Sequence, residues 1–324
     1  MAIARTWRST HHPEGPIRAA LDDIPGLNLV FSDSFTERYR RDGLVGVRVP
    51  SLNPAIWRYA IEDADGGALI WRDERDQIVA FNVAHRSGRE GWMGPLAVRP
   101  EAQGAGLGKE IVRAGVEWLR KTGVGTIGLE TMPRTMDNIG FYSRLGFDPG
   151  RLTITLTVDA AHGEYPPVLL GRVGAREKSA LVEECRVLVD DLLPGYDFTR
   201  EILLTDELGL GDTVLFRTSG RLVGYALCHT TPLVEGRVRE ETRVLKLVLG
   251  RQADLRDAVV CLADFARRNG TRRVAFRAQT EYLDAYRALI ALGAQIRWTD
   301  LRMTLTEAPE PKAEGGVVWS NWEI

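Results

Sequence analysis

The chain is poor in cysteine and has no hydrophobic run of membrane-spanning length. Its three cysteines, Cys185, Cys228 and Cys261, are an odd number, widely spaced and without metal-ligand spacing. They fit free thiols of a reducing compartment, so a cytoplasmic protein is expected. No apolar stretch approaches the length that crosses a bilayer. The opening residues carry Arg5 and Arg8 but no apolar core, so they do not read as a secretory signal. Excess charge is also lacking: 42 Lys and Arg against 44 Asp and Glu leave a net charge of -2. Neither nucleic acid nor a membrane surface is therefore expected as a partner. The 324 residues suggest two domains, and a monomer or homodimer is expected.

Glycine is present where it can do chemistry. The stretch that organises the chain runs from Trp92 to Phe147. Met93 to Val98 is an apolar run of strand length, and Arg99-Pro100 marks a turn. Gly104, Gly106 and Gly108 follow within five positions, and Leu107, Ile111, Ala114 and Trp118 then recur at helical spacing. Strand, glycine-rich turn and helix in that order make an anion site. Glycines let the backbone approach closely, and the unpaired N–H groups of the first helical turn point at the ligand. A Walker A loop is excluded, because Gln103 stands at its first glycine and Glu110 follows Lys109 where Ser or Thr is needed. Gly123, Gly125 and Gly128 have dinucleotide-fingerprint spacing but follow a helix and precede a strand-like run, the reverse of the required order.

The remaining pattern, Gln103-x-x-Gly106-x-Gly108, resembles motif A of the GCN5-related N-acetyltransferase (GNAT) family. Gly94 to Val98 resembles that family's fourth strand, and Asn138 to Phe147 its motif B. The resemblance implies acetyl-CoA-dependent N-acetylation of a small-molecule amine by direct transfer, without a metal. It implies that the CoA diphosphate lies on the backbone of Gln103, Gly104, Ala105, Gly106, Leu107, Gly108 and Lys109. It implies that Leu96, Ala97 and Val98 offer a strand edge to the pantetheine arm, with an N–H near Val98 facing the thioester oxygen. Tyr142 stands at the family's general-acid position, and Asn138 and Arg144 complete the expected cofactor contacts. The chain departs from the family at the base. Trp92 stands eleven residues before Gln103, where several members carry glutamate. Glu130, on the strand-like Ile127 to Thr131, becomes the candidate base. Met136, not asparagine, lies six residues before Tyr142; Asn138 lies four before. Two other functions stay open. A non-catalytic acyl-CoA sensor would keep the glycines and lose Tyr142, and a protein N-acetyltransferase would need an open acidic groove.

The rest of the chain repeats this half. Ala68 to Trp71 and Ile78 to Val83 flank a turn and read as a hairpin. Leu222 to His229 copies Ile78 to His85. Gly123 and Gly270, like Gly146 and Gly293, are 147 apart, which indicates internal duplication. At that offset Gly106 meets Ala253, Gly108 meets Leu255 and Tyr142 meets Leu289, so the copy reads as degenerate. The expected fold class is α/β with a mixed sheet, as two tandem acyl-CoA N-acyltransferase folds. Residues 1–26 read as an N-terminal arm in which His11-His12 is solvated. Residues 27–160 read as the active domain, 165–306 as the degenerate one, and 307–324 as a tail. That tail, with Trp319 and Trp322, is expected to pair with the first half's sheet and to supply its opening edge, since no strand pattern is read before Asn28.

Overall fold

The structure is a computed structural model and describes residues 12–323. The first half runs β1 (Glu14–Arg18), α1 (Ile24–Arg41), α2 (Pro54–Ala64), β2 (Ala68–Arg72) and β3 (Ile78–Ser87). It continues with β4 (Glu90–Val98), α3 (Leu107–Lys121), β5 (Thr126–Thr131), α4 (Met136–Ser143) and β6 (Phe147–Asp159). The second half opens with β7 (Val168–Leu169), α5 (Ala175–Leu192), α6 (Thr199–Glu207), β8 (Gly211–Thr218) and β9 (Arg221–His229). Then come β10 (Glu241–Leu249), α7 (Leu255–Arg268), β11 (Arg273–Gln279), α8 (Leu283–Ala291), β12 (Gln295–Leu305) and β13 (Val317–Ser320). β5 and β11 begin at 126 and 273, α4 and α8 at 136 and 283, both 147 apart.

One mixed sheet carries all of these strands, in the order β1-β2-β3-β4-β5-β12-β6-β11-β10-β9-β8-β7, with β13 paired to β10. The order contains an exchange. β12 lies antiparallel between β5 and β6, and β6 pairs on its other side with β11. Each half's last long strand thus lies beside the other half's parallel strand. The boundary at 160/165 consequently does not divide the sheet, and 27–160 is not a self-contained unit.

Packing follows from the sequence patterns. β3 is buried at nearly every position because helices cover both of its faces. On one face α3 buries Leu107, Ile111, Val112, Val116 and Leu119, the stripe expected of a 3.6-residue period. On the other, α1 and α2 bury Leu27, Val30, Ile56 and Trp57. α2 starts cleanly: Pro54 takes its first turn, and the Asn53 side chain accepts the Ala55 N–H at 3.0 Å.

Two expectations about the ends are corrected. The arm contains regular structure. Glu14–Arg18 forms β1 on β2, so the first half has its opening strand. Pro16 hid it from a propensity reading, and proline is tolerated there because β1 is an edge strand. His12 Nε2 lies 2.8 Å from Glu110 Oε2, while His11 falls outside the described residues. The tail does form a strand, but β13 pairs with β10 of the second half, Ser320 opposite Lys246 and Val317 opposite Leu249. Only beyond it does the tail reach the first half, where Trp322 is buried with Trp57, Phe81 and Trp92.

Candidate functional site

The site begins where β4 and β5 part. Their parallel pairing runs from Glu90 to Met93; from Gly94 to Val98 β4 keeps β3 on one side but has no partner on the other. At the end of that free edge, the side chains of Ser34 and Gln103 both donate to the Val98 carbonyl, at 3.1 and 2.9 Å. The chain then passes through the glycine turn into α3. Gly104 and Gly106 have φ of +85° and +91°, a region that side-chain-bearing residues rarely enter. Lys109 and Glu110 N–H groups already bond to the Gly106 carbonyl. The N–H groups of Gly104, Ala105, Gly106, Leu107 and Gly108 meet no protein acceptor among the described residues. Five adjacent donors at the positive end of a fifteen-residue helix form an anion cradle. The Leu107 side chain is core, so its contribution to the cradle is its backbone. Lys109, Arg113 and Arg144 are exposed.

A cavity of about 560 Å³ lies against the free β4 edge. Leu96, Ala97, Val98, Gln103, Gly108 and Asn138 line one part of it, together with Tyr142 and Glu130. Gly104, Ala105, Gly106, Leu107, Lys109 and Arg144 are not in its lining. Tyr142 is buried, and its ring meets Phe141 and Phe147 edge-on. Its hydroxyl has no hydrogen-bond partner among the described residues, and burial pushes its pKa well above the ordinary value. It therefore stays protonated at neutral pH. Asn138 Nδ2 is 3.5 Å from Thr131 Oγ1, at the limit of a hydrogen bond.

Glu130 is corrected as the free base. Its Oε1 accepts from Thr153 and from Arg302, the latter at 3.0 Å, and its Oε2 accepts from Arg277. Burial opposes its charge, but the Arg277 and Arg302 guanidiniums together hold the carboxyl below its usual range. A carboxylate saturated in this way is a poor proton acceptor.

Sequence reasoning missed the groups on the other wall: Phe35 and Tyr39 from α1, Trp298 and Asp300 from β12, and Glu323 from the tail. Nothing at the 147-residue offset marks them, because Asp300 falls opposite Thr153 in that alignment. Oxygens of Glu130, Asp300 and Glu323 lie within 4.8 Å of one another, a spacing that can hold a metal ion. Arg277 touches all three carboxylates, so a guanidinium already stands where such a cation would sit.

The second half lacks each of these features for a separate reason. β10 leaves β11 after Arg243, but β13 occupies the edge at Lys246 to Leu249. The head of α7 is capped by its own Asp254 carboxylate, which accepts the Arg256 N–H at 2.6 Å. Leu289, at the position matching Tyr142, is buried core.

Residues 32–147 match the acetyltransferase (GNAT) family, and this part of the chain is a domain of that family. A mycothiol acetyltransferase from Renibacterium salmoninarum is 33% identical over 89 residues, covering 25% of this chain and 26% of that protein. The match thus spans about a quarter of that curated relative's length. In three dimensions the likeness covers nearly the whole chain. A candidate acetyltransferase from Pyrococcus horikoshii superposes with a TM-score of 0.67 at 17% identity, over 97% of this chain and 98% of that one. A tandem GNAT protein from the clavulanic acid biosynthesis pathway superposes with a TM-score of 0.57 at 12% identity, over 92% and 98%. The fold is accordingly two tandem GNAT folds sharing one sheet. Among the described residues no helix is long and apolar enough to cross a membrane, and the three cysteines are unpaired.

Proposed function

We propose that the protein is an acyltransferase that moves the acetyl group of acetyl-CoA to the nitrogen of a small amine, at the first half's site alone. The observation that carries this reading is one juxtaposition. An unpaired strand edge and a buried tyrosine with a free hydroxyl line one cavity, and the five-donor N–H cradle adjoins it, reaching its lining at Gly108. The cradle suits a diphosphate, the only strongly anionic part near the head of such a donor. The edge at Leu96 to Val98 suits an arm whose amides pair as a strand would. Tyr142 suits the last step, protonation of the departing thiolate. Burial raises the tyrosine's pKa, and it raises that of a thiolate in the same surroundings, so the proton transfer stays close to balance.

The three changes in the second half favour a single cofactor per chain. The test is a screen of glucosamine, spermidine, lysine and tyramine with acetyl-CoA, read as released thiol. Acetylation of at least one amine is expected. A protein that binds acetyl-CoA and releases thiol with none of them is not a transferase to amines of this kind, and the reading falls to a sensor or a protein N-acetyltransferase.

A further inference from the structure

The wall of the cavity facing away from the glycine turn is short of positive charge. Arg277 is 3.1 Å from Asp300 and 3.0 Å from Glu323, and is in closer contact with Glu130. Arg302 is divided between Glu130, at 3.0 Å, and Glu310, at 2.8 Å. One guanidinium thus serves three carboxylates, and the next cation is engaged elsewhere. The three carboxylates are not equivalent. Glu130 is saturated. Asp300 accepts only from Arg277 and from Trp298 Nε1, each at 3.1 Å, and it lines the cavity. Glu323 holds Arg277 through one oxygen, and its side chain is 49% open. These two less saturated carboxylates reach the first half's cavity from elsewhere, Asp300 by the exchanged strand and Glu323 by the tail beyond β13.

Resting on the N-acetylation proposed above, we propose that Asp300 is the general base of the reaction and that the acceptor is a compact amine, bound as its ammonium between Asp300 and Glu323. The protons balance as follows. The ammonium gives one proton to the Asp300 carboxylate, which later passes it to water. The neutral nitrogen attacks the thioester carbon, forming the C–N bond, and the C–S bond breaks on collapse. Sulfur takes the Tyr142 proton, and the tyrosine oxygen takes the second proton from nitrogen. The third stays on the amide.

Burial, and then the Glu323 charge, push Asp300 up to about 7, with Glu130 adding to the push and Arg277 opposing it. The other titratable or charged groups on this side are Tyr39, Arg134, which lies over the Tyr39 and Trp298 rings, Arg243, whose charge opposes the upward push on Glu323, and Glu37, Arg38 and Arg41 of α1 on the cavity lining. A base poised near 7 is ionised in part of the range where an amine must lose its proton.

The experiment is the pH profile of kcat/KM for whichever amine the screen identifies, at saturating acetyl-CoA, in wild type, Asp300→Asn and Glu323→Gln. Wild type is expected to gain activity as pH rises through about 7. Asp300→Asn should lose about 100-fold or more in kcat, lose that acid limb, and keep its acetyl-CoA affinity by calorimetry. Glu323→Gln should raise the amine KM by about tenfold and move the acid limb to lower pH, because the charge that raises Asp300 is gone. Wild-type kcat/KM in a folded Asp300→Asn protein overturns the assignment. Should that variant not fold, an acid limb left in place by Glu323→Gln overturns it instead. An active enzyme indifferent to both changes sinks only this inference. A protein that binds acetyl-CoA and acetylates no amine sinks the proposed function with it.

Discussion

At Gly106 the backbone φ is +91°, and no atom lies within 4 Å of where a Cβ would stand. The fold uses a backbone state that only glycine adopts without strain, yet leaves the space beside it open. Turn glycines such as Gly123 and Gly270 share that combination; what sets Gly106 apart is its place among the unpaired N–H groups at the head of α3. Gly108 differs. Its φ is ordinary, and an added Cβ would meet Phe141 at 3.6 Å, normal contact. Gly108→Glu should therefore fold, within about 1 kcal/mol of wild type, and lose at least about tenfold in acetyl-CoA affinity as its carboxylate competes for the cradle. Calorimetry measures this, and unchanged affinity would remove the loop from the site. Tyr142→Phe should cut turnover by about 100-fold or more with acetyl-CoA affinity unchanged, because the lost contact matters only as charge develops on sulfur. These residues were legible in the sequence because their chemistry rests on local order: strand, turn, helix, tyrosine. Asp300 and Glu323 were not, since each is brought to the cavity by long-range pairing that leaves no local pattern.

At the scale of elements, the contrast between β4 and β10 is informative. The two strands leave their parallel neighbours at corresponding points, after Met93 and after Arg243. The first keeps a free edge, while the second has β13 hydrogen-bonded along it. Titration of the full chain with acetyl-CoA should thus saturate at one equivalent. Two equivalent sites would mean that β13 can be displaced from β10. The strand character of the tail was readable from Val317 to Trp319, whose composition favours pairing. Its partner was not readable, because an apolar strand suits either sheet edge. β1 escaped for the opposite reason: Gly15 and Pro16 weaken its local signal, and only its place on the edge of the sheet explains it. The helix α3 was clear in the sequence from its apolar periodicity.

Across the whole molecule, the halves meet through buried polar groups as well as through the sheet. Lys246 Nζ lies 3.6 Å from both Glu90 and Glu201, and 2.7 Å from Ser320 Oγ. Glu90 also takes the Trp322 indole N–H at 2.8 Å. Burial, helped by Asp63, pushes Glu201 up to about 8 against the pull of Lys246. A carboxyl raised on folding binds more protons in the native state than in the unfolded one. Its stabilising contribution is full below the ordinary carboxylate range and is lost as pH rises toward 8. The melting temperature should therefore fall between pH 5 and 8, and Glu201→Gln should flatten that fall. An identical slope in the variant would locate the pH dependence elsewhere. The exchange of β6 and β12 has a further consequence, for synthesis. A chain leaving the ribosome carries β1 to β6 long before it carries β12, yet β12 must lie between β5 and β6. The usual order, in which an N-terminal domain folds first during translation, is closed to this protein. Its cofactor half waits as an open sheet edge until residues near 305 emerge, and the nascent chain needs shielding for that interval.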